Sequence, residues 1–330
     1  MIVPVSLQMR QEELILCRNG SPRSVKRPFP PFFFREKPSG KTPIYDLKYH
    51  KLTNTEILKF ETVKQMYMDA KENEKRNPTL DCYGEGRVMY MPYIMSIYAY
   101  TPEWILDYPQ DDELRTMSID IEVATNGNRF PLAEYDPILM IGAKVNGEDV
   151  KVFESPKDNW ENDSKLLEEF AAWYAEKNPD VIATYNGMKF DIPYLCKRMQ
   201  VHGMNPVSLS RVADKIERKD SEGNTIFLIH GRAHMDLLNS VKADQKLTGN
   251  IKDRGLKTVA EWFGIKAIKF GDDINNTIAQ IGTDKFREYL ISDVNATDEI
   301  LKIYLPLQIS LAEYMKVPLK DVIEAPPSYL

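Results

Sequence analysis

Three short blocks of this chain carry acids and a tyrosine at spacings that could do chemistry: Ser118-Ile119-Asp120-Ile121-Glu122, Tyr185-Asn186-Gly187-Met188-Lys189-Phe190-Asp191, and Tyr289-Leu290-Ile291-Ser292-Asp293. Metal-assisted hydrolysis of a phosphodiester needs several hard carboxylate oxygens converging from different parts of a fold. It also needs a group that holds the attacking water. The three blocks together supply both kinds of residue.

Taken singly, each block admits a plainer reading. Asp120 and Glu122 are two positions apart on an alternating segment, so they share one strand face. Like charges side by side there are unfavourable unless a cation lies between them. A solvated face of an edge strand, with Ser118 on the same side, would also carry them. Asp191 stands two residues before Pro193 at the head of an apolar-periodic segment, where a helix cap is expected, and capping alone would account for it. Asn186 and Phe190 flank the same strand-to-helix corner, a usual place for site residues in an open sheet. Tyr289 and Asp293 are four apart on an expected helix and so share a face, a spacing common by chance. Asp298 falls off that face and is not a candidate. His230 and His234 lack a helix and further Cys or His neighbours, so zinc is not expected. No glycine-rich phosphate loop and no nucleophile elbow occur.

The elements that must position these blocks follow from periodicity. Thr116 to Ala124 alternates strictly and is expected as a strand. Ile138 to Val145 and Asp149 to Phe153 read as a hairpin turned by Asn146-Gly147. Lys165 to Lys177 has a helical apolar face, Val181 to Thr184 is a short buried strand, and Ile192 to His202 is a helix closed by Gly203. A charged hairpin surrounds Glu222-Gly223-Asn224. Helices are expected over Leu256 to Phe263 and from Thr283 to about Met315. This order predicts a mixed sheet flanked by helices. Before it lie a Pro- and Phe-rich stretch, a helix-like segment from Thr55 to Lys75 and an aromatic strand-like run from Arg87 to Tyr100. A linker from Asp107 to Glu113 suggests domains at 1–113 and 114–315, followed by a tail at 316–330.

The 330 residues, 43% hydrophobic and 28% charged, describe an ordinary globular composition with two domains as the better expectation. No apolar run approaches the roughly 20 residues that span a bilayer. The N-terminus lacks a signal-peptide pattern. Cys17, Cys82 and Cys196 are scattered and odd in number and read as reduced thiols in an intracellular protein, with no disulfide framework and no zinc spacing. The net charge of -6 opposes nucleic acid as a partner, yet residues 18–51 hold nine Lys or Arg against two acids, interleaved with Phe and Tyr. These are the ingredients of a single-strand track. The preferred reading of that stretch is still a Pro-rich surface segment packing on its own domain.

Jointly the blocks resemble the three exonuclease motifs of family B DNA polymerases, members of the DEDD superfamily of 3'-5' exonucleases with a ribonuclease-H-like fold. Three further stretches extend the likeness: Asp136-Pro137-Ile138-Leu139-Met140-Ile141-Gly142, the run from Asn178 through Asn186-Gly187 to Leu195, and Gly231 to Leu237. Together they cover residues 115–318. More weakly, Pro30 to Tyr100 resembles the N-terminal domain of phage-type members. The resemblance implies an α+β N-terminal domain followed by a ribonuclease-H-like exonuclease domain. It implies that Asp120, Glu122, Asp191 and Asp293 bind two divalent ions, Mg²⁺ or Mn²⁺, and that Tyr289 orients the attacking water. Asn186 and Phe190 would hold the terminal nucleotides of the substrate strand, with Asp236 near the site. The implied partners are a single-stranded DNA or primer–template 3' end and a polymerase palm–fingers–thumb portion, and no membrane. The polymerase motifs are absent from this chain, so it is not expected to polymerise alone. A non-catalytic nucleic-acid-binding accessory module of a split polymerase is the alternative.

Overall fold

The computed structural model describes residues 114–124, 129–156, 158–214, 216–219, 225–268, 283–315 and 318–324, together with the backbone of seven short strands between residues 6 and 59. Those strands are β1 (Ser6–Met9), β2 (Glu13–Arg18), β3 (Ser21–Lys26), β4 (Phe32–Glu36), β5 (Ile44–Asp46), β6 (Lys51–Thr53) and β7 (Thr55–Lys59). They form an antiparallel sheet β1-β2-β3 and two antiparallel pairs, β4-β7 and β5-β6. The helix expected from Thr55 is corrected here. Thr55–Lys59 pairs antiparallel with Phe32–Glu36, and this long-range ladder overrides the local helical pattern. The rest of that segment, the aromatic run from Arg87 and the expected linker lie outside the described residues.

The site is built on a five-stranded sheet in the order β10-β9-β8-β11-β14. Strand β8 (Thr116–Val123) is antiparallel to β9 (Ile138–Val145), which is antiparallel to β10 (Lys151–Glu154). On its other side β8 runs parallel to β11 (Val181–Thr184), and β11 runs parallel to β14 (Ala233–Asp236). The sequences explain their places. Val181–Thr184 is buried throughout and sits between two parallel neighbours, as continuous apolar strands do. The turn between β9 and β10 uses Asn146 and Gly147, both at positive φ (38° and 79°), the conformation that lets a two-residue turn match strand twist.

One face of the sheet is covered by α1 (Ser164–Lys177) and α2 (Asp191–Val201). Leu167, Phe170, Tyr174 and Leu195 pack there on Met117, Ile119 and Ile121 of β8. The opposite face carries α6 (Asp284–Met315), whose Leu290 and Val294 bury against Met140. Shorter helices α3 (Leu237–Ala243), α4 (Gln245–Thr248) and α5 (Leu256–Trp262) lie between β14 and α6 in sequence and join Val241, Leu247 and Val259 to the same side of the core. Among the described residues no helix is long and apolar enough to cross a membrane.

Two further elements bear on the expectations. Strands β12 (Glu217–Lys219) and β13 (Thr225–Phe227) form the charged hairpin, whose turn lies outside the described residues. Its base is fixed by Arg211, which donates to Asp180 Oδ1 at 2.6 Å and to the Asn178 carbonyl at 2.7 Å. After α6 the chain forms α7 (Leu319–Glu324). Leu319 and Val322, in the expected tail, are buried in the core beside β14.

Candidate active site

The strict alternation of β8 puts Met117, Ile119 and Ile121 under α1 and α2, which leaves Ser118, Asp120 and Glu122 on the face covered by α6. Ser118 is buried and Asp120 and Glu122 are half-buried beneath a helix, and the reading of a solvated edge face is overturned: β8 is an interior strand. Opposite them on β9 the register places Lys144, Gly142 and Met140 respectively. A side chain at Gly142 would meet Val294 Cγ2 at 2.7 Å and Leu290 Cγ at 2.9 Å, so glycine here is what lets α6 approach the strand.

Asp191 is the first residue of α2, and Phe190 occupies the cap position with no side-chain capping bond. The cap reading is thus corrected: the carboxylate is buried, 4% exposed, at the positive end of the α2 dipole. The corner that delivers it is tightly built. Asn186 adopts φ 69°, and a Cβ on Gly187 would fall 2.3 Å from Thr184 Oγ1. Asp236 holds this corner from below, accepting the Asn186 N–H at 2.9 Å on Oδ1 and the Met188 N–H at 3.1 Å on Oδ2. Its Oδ1 also accepts the Leu238 N–H at the start of α3. Asp236 thus shapes the loop that carries Asn186, while its own carboxyl is raised by burial.

Tyr289 and Asp293 face the β8 acids from α6, and Lys257 of α5 joins them. The Lys257 ammonium is ion-paired with Asp293 and lies 4.3 Å over the centre of the Tyr289 ring. Its charge interacts with both Asp120 and Glu122. Lys257 was not foreseen from sequence. Its partners are far away along the chain, and one lysine beside a leucine at a helix start carries no local signal.

The electrostatics are those of acids crowded out of water. Burial raises the Asp120 carboxyl to about 6, with Lys257 pulling it down. Glu122 is pushed up to about 8 by burial and then by Asp120. Asp191 is raised well above the usual carboxylate range by burial and by Asp120. Burial, with Glu122 and Asp120, lifts the Tyr289 hydroxyl to about 12, so it stays protonated at neutral pH. Lys257 is lowered to about 8 by burial, against the pull of Asp120 and Glu122. Among the described residues no three His, Cys, Asp or Glu side chains are already gathered as a ready-made metal ligand set. The donor chemistry nonetheless fits divalent cations. All candidates are hard carboxylates, and their burial and mutual repulsion are what a cation relieves.

Beside the acids, the Phe190 ring meets Phe130 edge-on at 5.7 Å between ring centres and lies tilted against Tyr194 at 5.4 Å. Phe130 is 73% exposed. It too was not singled out from sequence, although its place before Pro131, shortly after the first acidic block, is the kind of exposed aromatic that merits notice. Asn186 is exposed on the same corner.

Comparison with known proteins agrees with this architecture. Residues 94–259 match the family model described as DNA polymerase family B, exonuclease domain. DNA polymerase 2 of Aeropyrum pernix is 29% identical over 220 residues, covering 64% of this chain and 26% of that protein. The DNA polymerase of Thermococcus litoralis is 29% identical over 258 residues, covering 72% of this chain and 15% of that one. The chain thus spans about a quarter or less of the length of these relatives. The solved family B DNA polymerase of Pyrobaculum calidifontis superposes with a TM-score of 0.66 at 19% identity, over 98% of this chain and 48% of that one, a likeness of fold. The chain belongs to the family B DNA polymerases and carries their exonuclease domain.

Proposed function

We propose that this chain hydrolyses the 3'-terminal phosphodiester of single-stranded or frayed DNA, releasing 5'-mononucleotides, as the proofreading portion of a family B DNA polymerase. The observation that carries the reading is that Lys257, paired with Asp293 and lying over the Tyr289 ring, also interacts with Asp120 and Glu122, while Asp191 interacts with Asp120 from the head of α2. Family membership supports it independently.

In the reaction a water oxygen attacks phosphorus, the bond to the 3'-oxygen of the preceding nucleotide breaks, and that oxygen leaves with a proton. When bound, two divalent cations held by Asp120, Glu122, Asp191 and Asp293 would supply Lewis acidity and an activated water. The neutral Tyr289 hydroxyl is a hydrogen-bonding group that can orient this water. The Lys257 ammonium, held by the Tyr289 ring and Asp293, offers a counter-charge to the phosphate. Asn186 at its strained corner and Phe190, braced by Phe130, suit a splayed terminal nucleotide, since aromatic faces accept any base. The remaining partner would be a palm–fingers–thumb portion, in the same parent chain or in a separate subunit.

The test is an end-labelled single-stranded oligonucleotide incubated with the protein and Mn²⁺ or Mg²⁺. Stepwise shortening from the 3' end, stopped by EDTA, is expected. Binding without shortening would leave a non-catalytic accessory module.

A further inference from the structure

On the face beneath α6, the β8–β9 ladder continues one step past the acids, from Asp120 opposite Gly142 to Ser118 opposite Lys144. Here the sheet grips α6 through polar groups. Lys144 Nζ donates to Asn295 Oδ1 at 2.9 Å and ion-pairs with Asp298 Oδ2 at 3.3 Å, two residues on successive turns just after Asp293. Ser118 Oγ donates to Asp298 Oδ1 at 3.3 Å, and Lys302 pairs with the same carboxylate at 3.0 Å from the outer side. Asp298 and Ser118 are 1% and 0% exposed. The same strand that carries Asp120 and Glu122 is thereby tied to the same helix that carries Tyr289 and Asp293.

We infer that Lys144 and Asp298 are positioning residues of the exonuclease site, fixing the register of α6 on the sheet so that Tyr289 and Asp293 face Asp120 and Glu122. The inference rests on the function proposed above. Leu290 and Val294 seat over the Gly142 notch, and the polar contacts of Lys144 and Ser118 add directional constraint one step along the same strand face. The Lys144–Asn295 hydrogen bond is directional, and fixing register is the best-attested use of an ion pair such as that of Lys144 with the buried Asp298. The distance over which it must act is short, as Asp298 lies little more than one helical turn beyond Asp293.

The variants Lys144→Met and Lys144→Arg are compared in two assays: steady-state hydrolysis of a single-stranded oligonucleotide, and calorimetric titration with Mn²⁺ alone. Lys144→Met is expected to lower kcat about tenfold or more with KM within about twofold, the pattern of misplaced reacting groups. It should weaken Mn²⁺ binding in parallel, and Lys144→Arg should keep both near parental. A folded Lys144→Met with parental turnover and Mn²⁺ affinity overturns the inference, as does equal impairment by Lys144→Arg. Should Lys144→Met fail to fold, Ser118→Ala is judged by the same two readouts. A parent chain that binds Mn²⁺ without cutting DNA would defeat the proposed function alone, and the Mn²⁺ affinities would still decide the positioning role.

Discussion

The ammonium of Lys257 stands 4.3 Å over the ring of Tyr289 and is ion-paired with Asp293, so one cation joins both ends of the Tyr-x-x-x-Asp block. Tyr289→Phe keeps the ring, its packing and the cation above it, and deletes only the hydroxyl. The chemical step should slow by about a hundredfold or more if that hydroxyl directs the water, with little change in DNA affinity. Single-turnover kinetics beside a binding isotherm check this. Equal losses in rate and affinity would make Tyr289 a substrate contact.

Asp120→Ala combined with Glu122→Ala should abolish cleavage. Lost ion coordination removes several kcal/mol of transition-state stabilisation, and each ~1.4 kcal/mol is a factor of ten. The metal-free melting temperature should hold or rise, because two half-buried, mutually repelling carboxyls are gone. Asp191→Asn tests the third acid: turnover per folded molecule should collapse. A lower melting temperature with unchanged turnover would reduce Asp191 to a helix-terminus residue.

The raised carboxyls also set a pH dependence. Glu122 is held near 8 and Asp120 near 6 in the fold, while both titrate near ~4 when unfolded. Between those limits the folded state binds more protons than the unfolded chain, so stability falls as pH rises. Without divalent ions the melting temperature should therefore decline from about pH 5 to about pH 8. Mn²⁺, which favours the ionised forms, should flatten or reverse that slope. A metal-free melting temperature that rises through this window would contradict the crowding of the acids.

Much of this was legible in the sequence where the signal is local. The strict alternation of Thr116–Val123 gave the strand and the shared face of Asp120 and Glu122. The continuous apolar run at Val181–Thr184 gave the interior strand. Long-range facts were not legible. Thr55–Lys59 looks helical until Phe32–Glu36 is there to pair with it. Lys257 becomes a site residue only because α5 and α6 bring it to acids far away in the chain. Helix α7 did have a signal that went unread: Pro318 ahead of Leu319, Val322 and Ile323, an apolar i, i+3, i+4 face.

The hairpin β12–β13 gives a substrate-dependent prediction. Its base is clamped by Arg211 to Asp180 and Asn178, while the tip at 219–224 is polar. Shortening the tip should leave single-strand degradation intact and impair degradation of duplex ends about tenfold, if the hairpin holds separated strands apart. An identical effect on both substrates would assign it no part in strand separation.

Gly187→Ala should damage both fold and rate. Its Cβ would be driven into Thr184, whose Oγ1 is hydrogen-bonded to the buried His234 at 2.8 Å and has little room to yield. A cost of about 1–3 kcal/mol is expected from overpacking. The displaced corner would carry Asn186 with it, so KM for DNA should rise. Thermal denaturation and KM measured on one preparation test both halves.

Helix α7 has a consequence for how the molecule meets copies of itself. Strand β14 is the outermost parallel strand of the five-stranded sheet, and Glu324 Oε1 accepts the His234 N–H from it at 3.0 Å while Lys320 reaches the Ile229 and Arg232 carbonyls at 3.1 Å. These side chains answer backbone groups that would otherwise be open to a foreign strand, and Leu319 and Val322 cover apolar surface beside them. A chain cut after Met315 would bare a strand rim and the greasy strip next to it, inviting rim-to-rim stacking into insoluble material, even though every acid of the site would still be in place.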